Sequence, residues 1–381
     1  GMTFEETGVD ALLVDEAHRY KKLQFQTQMG NIKGIDTSAS KRGLSMLMKT
    51  RWVQENNDGK NVVMATGTPI SNTVAEAWNF MRYINPKMLK EYGMENFDSF
   101  ASLFGDTVSG MELTAGGTWK VVQRFAKYTN GPELIAAFRT IADVITQEEV
   151  PGLNLPPLKG GEPTNIIVPQ TDGVAEEIAD IRLQLEKFEK MSGQEKKDNS
   201  HIPLVSFTRA KKAAIDIRLI KPLAEDEPDS KVNRAVDKIL EIYHAEEANK
   251  GTQLVFSDVY QSHVEGLTER EQFNVYNDLK SKLVAAGVPD DEVSIIGPKT
   301  TDAQKKIIGE GIKSGEVRIA IGSTEKLGTG LNVQDRMAAL HHLDAPPRPM
   351  DIEQRNGRIL RQGNLYGQRD ENQNLKIIEK I

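Results

Sequence analysis

An α/β protein built on parallel sheets is what this sequence predicts, and two observations carry the prediction. Short apolar runs end abruptly in polar residues: residues 9–15 close on Asp15, and residues 61–65 close on Thr66-Gly67-Thr68-Pro69. Helical sequence around 40–56 fills the interval, so the order is strand, helix, strand. Continuous apolar runs of this length read as parallel strands buried on both faces, with polar loops at their carboxyl ends.

The rest of the chain extends the pattern. Residues 72–84 look helical, whereas 86–160 look irregular because Gly105, Gly110, Gly116, Gly117 and Gly131 interrupt them. Pro151, Pro156 and Pro157 mark a boundary, followed by a predicted strand at 163–168. In 174–192, Ile178, Ile181, Leu185 and Phe188 fall on one helical stripe, and 193–200 read as a solvated loop. A second α/β segment begins near Ser230. Helices are expected at 231–247, 271–286, 301–313 and 350–362, and strands at 253–257, 293–296, 317–322 and 339–343. The predicted divisions are therefore 1–85, a mainly helical insertion and linker over 86–229, and 230–381.

Composition excludes some chemistry and leaves much open. The 381 residues contain no cysteine, which removes disulfides, thiol nucleophiles and cysteine metal sites and fits a reducing cytoplasm. No apolar run is long enough to span a bilayer, and no signal peptide opens the chain, so no membrane partner is expected. The net charge of −7 does not announce a polyanion partner, although it can conceal local basic patches. Gly1 before Met2 reads as a scar of tag removal, and the chain is expected to be a piece of a longer polypeptide.

Four places carry candidate chemistry. Asp15 and Glu16 stand side by side at a strand end, where one carboxylate can hold magnesium and the next can deprotonate an attacking water. An acidic helix start explains the same pair. Thr66-Gly67-Thr68-Pro69 ends the neighbouring strand, so both loops point at one crevice; alone it is also a plain turn. Gly328-Thr329-Gly330-Leu331-Asn332 could let backbone amides approach a phosphate. Arg355, Arg358 and Arg361 recur every three residues, either as phosphate-gripping fingers on one helical face or as a solvated basic face. His341 and His342 are adjacent on a predicted strand and point to opposite faces, which argues against a zinc site.

Taken in order, these pieces resemble the motor of superfamily-two helicases, and most closely its Swi/Snf-like branch. Asp15-Glu16-Ala17-His18 resembles the Walker B motif, and Ala65-Thr66-Gly67-Thr68-Pro69-Ile70-Ser71-Asn72 the third motif. Glu76-Ala77-Trp78-Asn79-Phe80 through Pro86 is similar to the helical stretch that follows that motif. Leu254-Val255-Phe256-Ser257 resembles the fourth motif, Ser323 with residues 328–334 the fifth, and Gln354-Arg355 with Gly357-Arg358 and Arg361 the sixth. His341-His342-Leu343-Asp344-Ala345-Pro346-Pro347 running into Gln354 is similar to the helicase region of methyltransferase–helicase fusion proteins of phages and mobile elements.

The resemblance implies two RecA-like lobes, the first truncated at its N-terminus, with ATP and magnesium bound in the cleft between them. Asp15 would help hold magnesium, Glu16 would be the general base, and Arg358 and Arg361 would reach the phosphates, with Gln354 and Arg355 nearby. His18, Thr66 and Thr68 would couple the nucleotide to lobe closure, and Gly328, Gly330 and Asn332 would contact nucleotide or DNA phosphate. The implied partner is duplex DNA held by its backbone, and the preceding part of the polypeptide could be an adenine-specific DNA methylase in a bacterial, phage or mobile-element setting. Arg209, Lys211 and Lys212 in the basic stretch 209–221, with Lys41 and Arg42, are the candidate nucleic-acid contacts; for the 209–221 stretch a solvated helix face is the slightly favoured reading. One expected part is missing. No Gly-x-x-x-x-Gly-Lys-Ser/Thr loop occurs in the chain, so it is expected to be inactive alone. A non-catalytic scaffold that keeps the fold, or an RNA helicase, are the competing readings.

Overall fold

The two apolar runs near the start of the chain do pair. In a computed structural model, β1 (Leu12–Val14) and β2 (Val62–Met64) lie parallel, with Leu12 opposite Val62, Leu13 opposite Val63 and Val14 opposite Met64. The structure describes residues 2–30, 32–38, 40–70, 73–113, 119–146, 149–153, 155–328, 331–346, 348–367 and 379–380. α1 (Lys41–Asn56) forms the crossover, and its N-cap Ser40 hydroxyl accepts a hydrogen bond from the Gly43 amide. Burial on both faces, expected from the apolar composition, is not what is found. Leu13 is 80% and Val63 57% exposed, side by side in register. A two-stranded sheet covered by one crossover helix buries one face and leaves the other open.

The chain divides into two compact units, Gly1–Glu149 and Val150–Ile381. In the first, α2 (Ala75–Ile84) is buried along nearly its whole length. Trp78 from α2 meets Phe25 and the Phe97 and Phe100 rings of α4 (Phe97–Phe104), and Phe104 continues the stack. α3 (Pro86–Glu91) adds Met88 and Leu89 to this core. Each such side chain contributes roughly 1.5–3 kcal/mol on burial. Polar ties hold α2 in place: Glu76 pairs with Lys21 at 3.0 Å, and Asn79 donates to the Lys21 carbonyl.

Among the described residues, much of the segment expected to be irregular forms regular elements. β3 (Gly105–Leu113) and β4 (Trp119–Tyr128) form an antiparallel hairpin, followed by α5 (Gly131–Arg139). Gly105 is a packing glycine, because a β-carbon there would overlap the Phe125 ring. Residues 32–35 anchor the hairpin: the Phe125 amide donates to the Lys33 carbonyl, and the Lys33 amide to the Gln123 carbonyl.

The second unit opens with α6 (Asp172–Glu189), α7 (Gly193–Asp198) and α8 (Ile202–Ile215). The expected strand at 163–168 is not formed. The expected loop at 193–200 contains α7, started by a capping box between Ser192 and Glu195. α9 (Lys231–Ala245) leads to β5 (Thr252–Phe256), α10 (Val275–Ala285), β6 (Val293–Ile296), α11 (Asp302–Ser314), β7 (Ile319–Gly322), α12 (Thr324–Leu327), β8 (Met337–His342), α13 (Pro349–Asn356) and β9 (Glu379–Lys380). The strands form one parallel sheet in the order β6-β7-β5-β8-β9. Alternate residues face two helical layers. Val255, Ile319 and Ile321 join α9 and α10 on one side, and Leu254, Phe256, Ala320 and Leu340 join α11 and Ile359 on the other. This is the doubly covered sheet expected of the 230–381 region.

Candidate functional site

In the first unit, backbone hydrogen bonding runs past the ends of the strands. The Ala65 amide donates to the Val14 carbonyl at 2.8 Å, and the Ala17 amide donates to the Ala65 carbonyl at 3.0 Å. The loop after β1 is thereby fixed against the loop after β2. Glu16 takes a left-handed backbone with φ 51°, unfavourable by about 1 kcal/mol or more for a residue with a side chain. The turn lets the Asp15 carboxylate accept the Glu16 amide at 2.8 Å. His18 Nδ1 then lies 3.2 Å from a Glu16 carboxylate oxygen and 3.1 Å from the Thr66 hydroxyl. The same hydroxyl oxygen accepts the Thr68 amide at 3.1 Å. Asp15, Glu16, His18, Thr66 and Thr68, drawn from positions about fifty apart in sequence, therefore share one site. Asp15 and Glu16 are exposed, and adjacent hard carboxylate oxygens are the donor type that magnesium takes.

In the second unit, the parallel sheet places the ends of β5, β7 and β8 on one edge. Asp258, Thr324, His342 and Asp344 occur there, and Arg355 from α13 joins them. Arg355 Nε donates to the Thr324 hydroxyl at 2.8 Å, and Nη2 donates to Asp258 Oδ2 at 2.9 Å and Asp344 Oδ1 at 2.8 Å. Nη1 donates to the Asp344 carbonyl at 2.9 Å and to His342 Nδ1 at 3.2 Å. Asp258 also accepts the Thr324 amide and hydroxyl, and Asp344 accepts the Asp258 and Val259 amides. Arg355 is 0% exposed and all five of its N–H groups are used. The expectation that it contacts nucleotide is corrected: it is the buried rivet of the strand ends. His341, on the opposite face of β8, bonds Gln253 at 2.8 Å, and burial pushes its pKa down to about 3, so it is neutral.

The three arginines do not share a helical face, because α13 ends at Asn356. Arg358 instead donates to the carbonyls of Gly328 and Leu331, bracing the loop that contains Gly328. Gly328 is itself packed, since a β-carbon there would overlap the Thr324 carbonyl. Arg361 and Asn332 are exposed and Gln354 is half-buried, while Gly330 lies outside the described residues. Burial, together with the nearby charges of Lys326 and Arg358 and against those of Asp302 and Glu325, pulls the Lys305 pKa below its usual value. Sequence reasoning passed over Asp258, Lys305 and Lys326. The polar end of a buried strand, the signal used for Asp15, also marks Asp258.

The candidate nucleic-acid residues fare unequally. Arg209 is clamped between α6 and α8, 2.5 Å from Glu177 and 2.8 Å from Asp180, and also bonds Gln184. Arg218, part of the same basic stretch, is buried among Asp216, Asp226 and Asp278. Arg209 and Arg218 in the stretch 209–221 are thus paired with acids, most of them outside the stretch. Lys211 and Lys212 are half-buried, and burial lowers the Lys212 pKa. Lys41 and Arg42 are exposed on the first turn of α1.

The first unit thus joins an acidic pair to a threonine turn at adjacent strand ends of an α/β scaffold. Residues 1–146 match the family model described as "probable helicase domain". Over 107 residues the chain is 29% identical to the Defense against restriction protein B of Escherichia phage P1, covering 27% of this chain and 5% of that protein. Over 114 residues it is 25% identical to Helicase SWR1 of Candida glabrata, covering 29% of this chain and 7% of that one. The chain thus spans only a small part of the length of either relative. A solved SWI2/SNF2 ATPase core of Sulfolobus solfataricus in complex with dsDNA is similar at 15% identity and a TM-score of 0.38, over 96% of this chain and 62% of that one. The family-model match spans the part of the chain that holds Asp15-Glu16-Ala17-His18 and the Thr66 turn. Among the described residues no helix is long and apolar enough to cross a membrane.

Proposed function

We propose that this chain is the greater part of an ATP-driven translocase acting on duplex DNA, within a larger DNA-modification or anti-restriction polypeptide. The observation that carries the reading is the hydrogen-bonded joining of Asp15-Glu16-Ala17-His18 to Thr66 at adjacent ends of parallel strands. Asp15 would help hold a magnesium ion arriving with ATP, which would supply positive charge against the phosphoryl oxygens, and Glu16 would take the proton of the attacking water. His18 touches the Glu16 carboxylate and the Thr66 hydroxyl, so movement of the 66–68 turn is felt at the base. In the second unit, Arg361 is exposed and available to phosphate, while Arg358 shapes the loop at Gly328 and Asn332. The phosphate-binding loop belongs, on this reading, to another part of the polypeptide, and an adenine-specific methylase is a fitting neighbour. The open Leu13–Val63 face is where further strands of the first lobe would pack.

Duplex DNA is preferred to RNA because the stretch from Ala65 to Pro86 resembles the Swi/Snf-like branch. The test is steady-state ATPase of a polypeptide extended to include the phosphate-binding loop. Duplex DNA is expected to stimulate turnover well above the level reached with duplex or single-stranded RNA. Equal or greater stimulation by RNA would reverse the substrate assignment, and no nucleotide turnover under any condition would favour a scaffold.

A further inference from the structure

The β3–β4 hairpin is not used by the chemistry above, yet its far end exposes large apolar side chains. Met111 and Val121 are directly paired across the ribbon, and Trp119 lies two residues before Val121 on the same strand, so the three share one face. They are 63%, 65% and 64% exposed, respectively. The base of the same face is different: Phe125 is buried against Gly105, and the opposite face is tied down by Glu112, which pairs at 2.8 Å with both Lys33 and Arg124. The ribbon is thus anchored at its root while presenting an aromatic and two aliphatic groups farther along its strands.

We propose that this strand face is a stacking platform for unpaired nucleobases, with Trp119 as the stacking group. The proposal rests on the nucleic-acid reading above and adds a single-stranded contact to it. Charge favours this occupant. Residues 105–128 carry Lys120, Arg124 and Lys127 against Asp106 and Glu112, a net +1 in a chain of net −7. Asp106 lies opposite Lys127, and Glu112 is paired with Lys33 and Arg124, while Lys120 is exposed beside Trp119, placed to meet a phosphate. Area argues the same way. Three side chains on a two-stranded ribbon are far short of the roughly 800 Å² per partner that a stable protein interface buries. One exposed aromatic is enough to hold one base, because every base has a face to stack.

The test uses this chain with three fluorescent probes of equal length: oligo(dT), a matching strand of abasic residues, and a blunt duplex. Trp119→Ala is expected to weaken binding of oligo(dT) by about tenfold, within the range for loss of one base–aromatic stack. Trp119→Phe should restore most of that loss, and the abasic strand and duplex should bind both variants as they bind the parent. An unchanged affinity of Trp119→Ala for oligo(dT), or an equal loss on the abasic strand, overturns the proposal while leaving duplex binding to support the broader reading. Failure of the parent chain to bind any of the three removes both. Thermal melting checks that the exposed substitution leaves the fold intact.

Discussion

Glu16→Gln, made in a polypeptide that includes the phosphate-binding loop, should bind ATP nearly as tightly as the parent and hydrolyse it about 10²–10⁴ times more slowly. The change keeps size and polarity and removes only the group that accepts a proton. Glu16 is exposed, so folding has little stake in its charge. Its amide still donates to Asp15, and the left-handed turn needs no charge to persist. The effect should therefore appear in turnover and not in thermal melting or in nucleotide affinity. Turnover at the parent rate in Glu16→Gln would show that another group takes the proton.

The arginines of the 354–361 segment should separate into three behaviours. Arg361→Lys keeps the charge but loses the planar fork, and is expected to lower turnover by about 10³-fold with melting unchanged. Arg358→Lys should also slow turnover sharply, because it loses both ties to the Gly328 and Leu331 carbonyls and loosens that loop. Arg355→Met should act on stability. It leaves Asp344 buried and Asp258 half-covered without their cation, and breaking such a pair costs about 3–5 kcal/mol. Urea unfolding of the 150–381 unit reads that loss directly. A solvated basic face would let lysine replace Arg358 and Arg361 freely; near-parent ATPase in both would support that view instead.

That separation shows where sequence reading worked and where it stopped. Polar residues ending apolar runs marked Asp15 and Thr66, and the structure does bring those two strand ends together, although β1 and β2 are open on one face. The same periodic logic failed at Arg355, Arg358 and Arg361, since spacing by three implies one face only while the helix continues, and it ends at Asn356. Arg209 and Arg218 looked like a basic surface because their partners, Glu177, Asp180, Asp226 and Asp278, lie outside the basic run. Only packing reveals such neutralisation. The hairpin was hidden for a different reason. Gly105 and Gly110 read as chain breakers, although Gly105 is there to admit the Phe125 ring. Gly116-Gly117 between two β-rich runs was the signal for it. The open face at Leu13 and Val63 was equally invisible, because an apolar strand does not reveal how many neighbours cover it.

The central claim is that Asp15 and Glu16 serve ATP hydrolysis and need a phosphate-binding loop supplied from elsewhere in the polypeptide. The most direct measurement is magnesium-dependent ATPase, with and without duplex DNA, of residues 1–381 beside the same chain extended to include that loop. The account predicts negligible turnover from residues 1–381 and DNA-stimulated turnover from the extended protein. Robust turnover from residues 1–381 alone, or none from the extended protein, would contradict it.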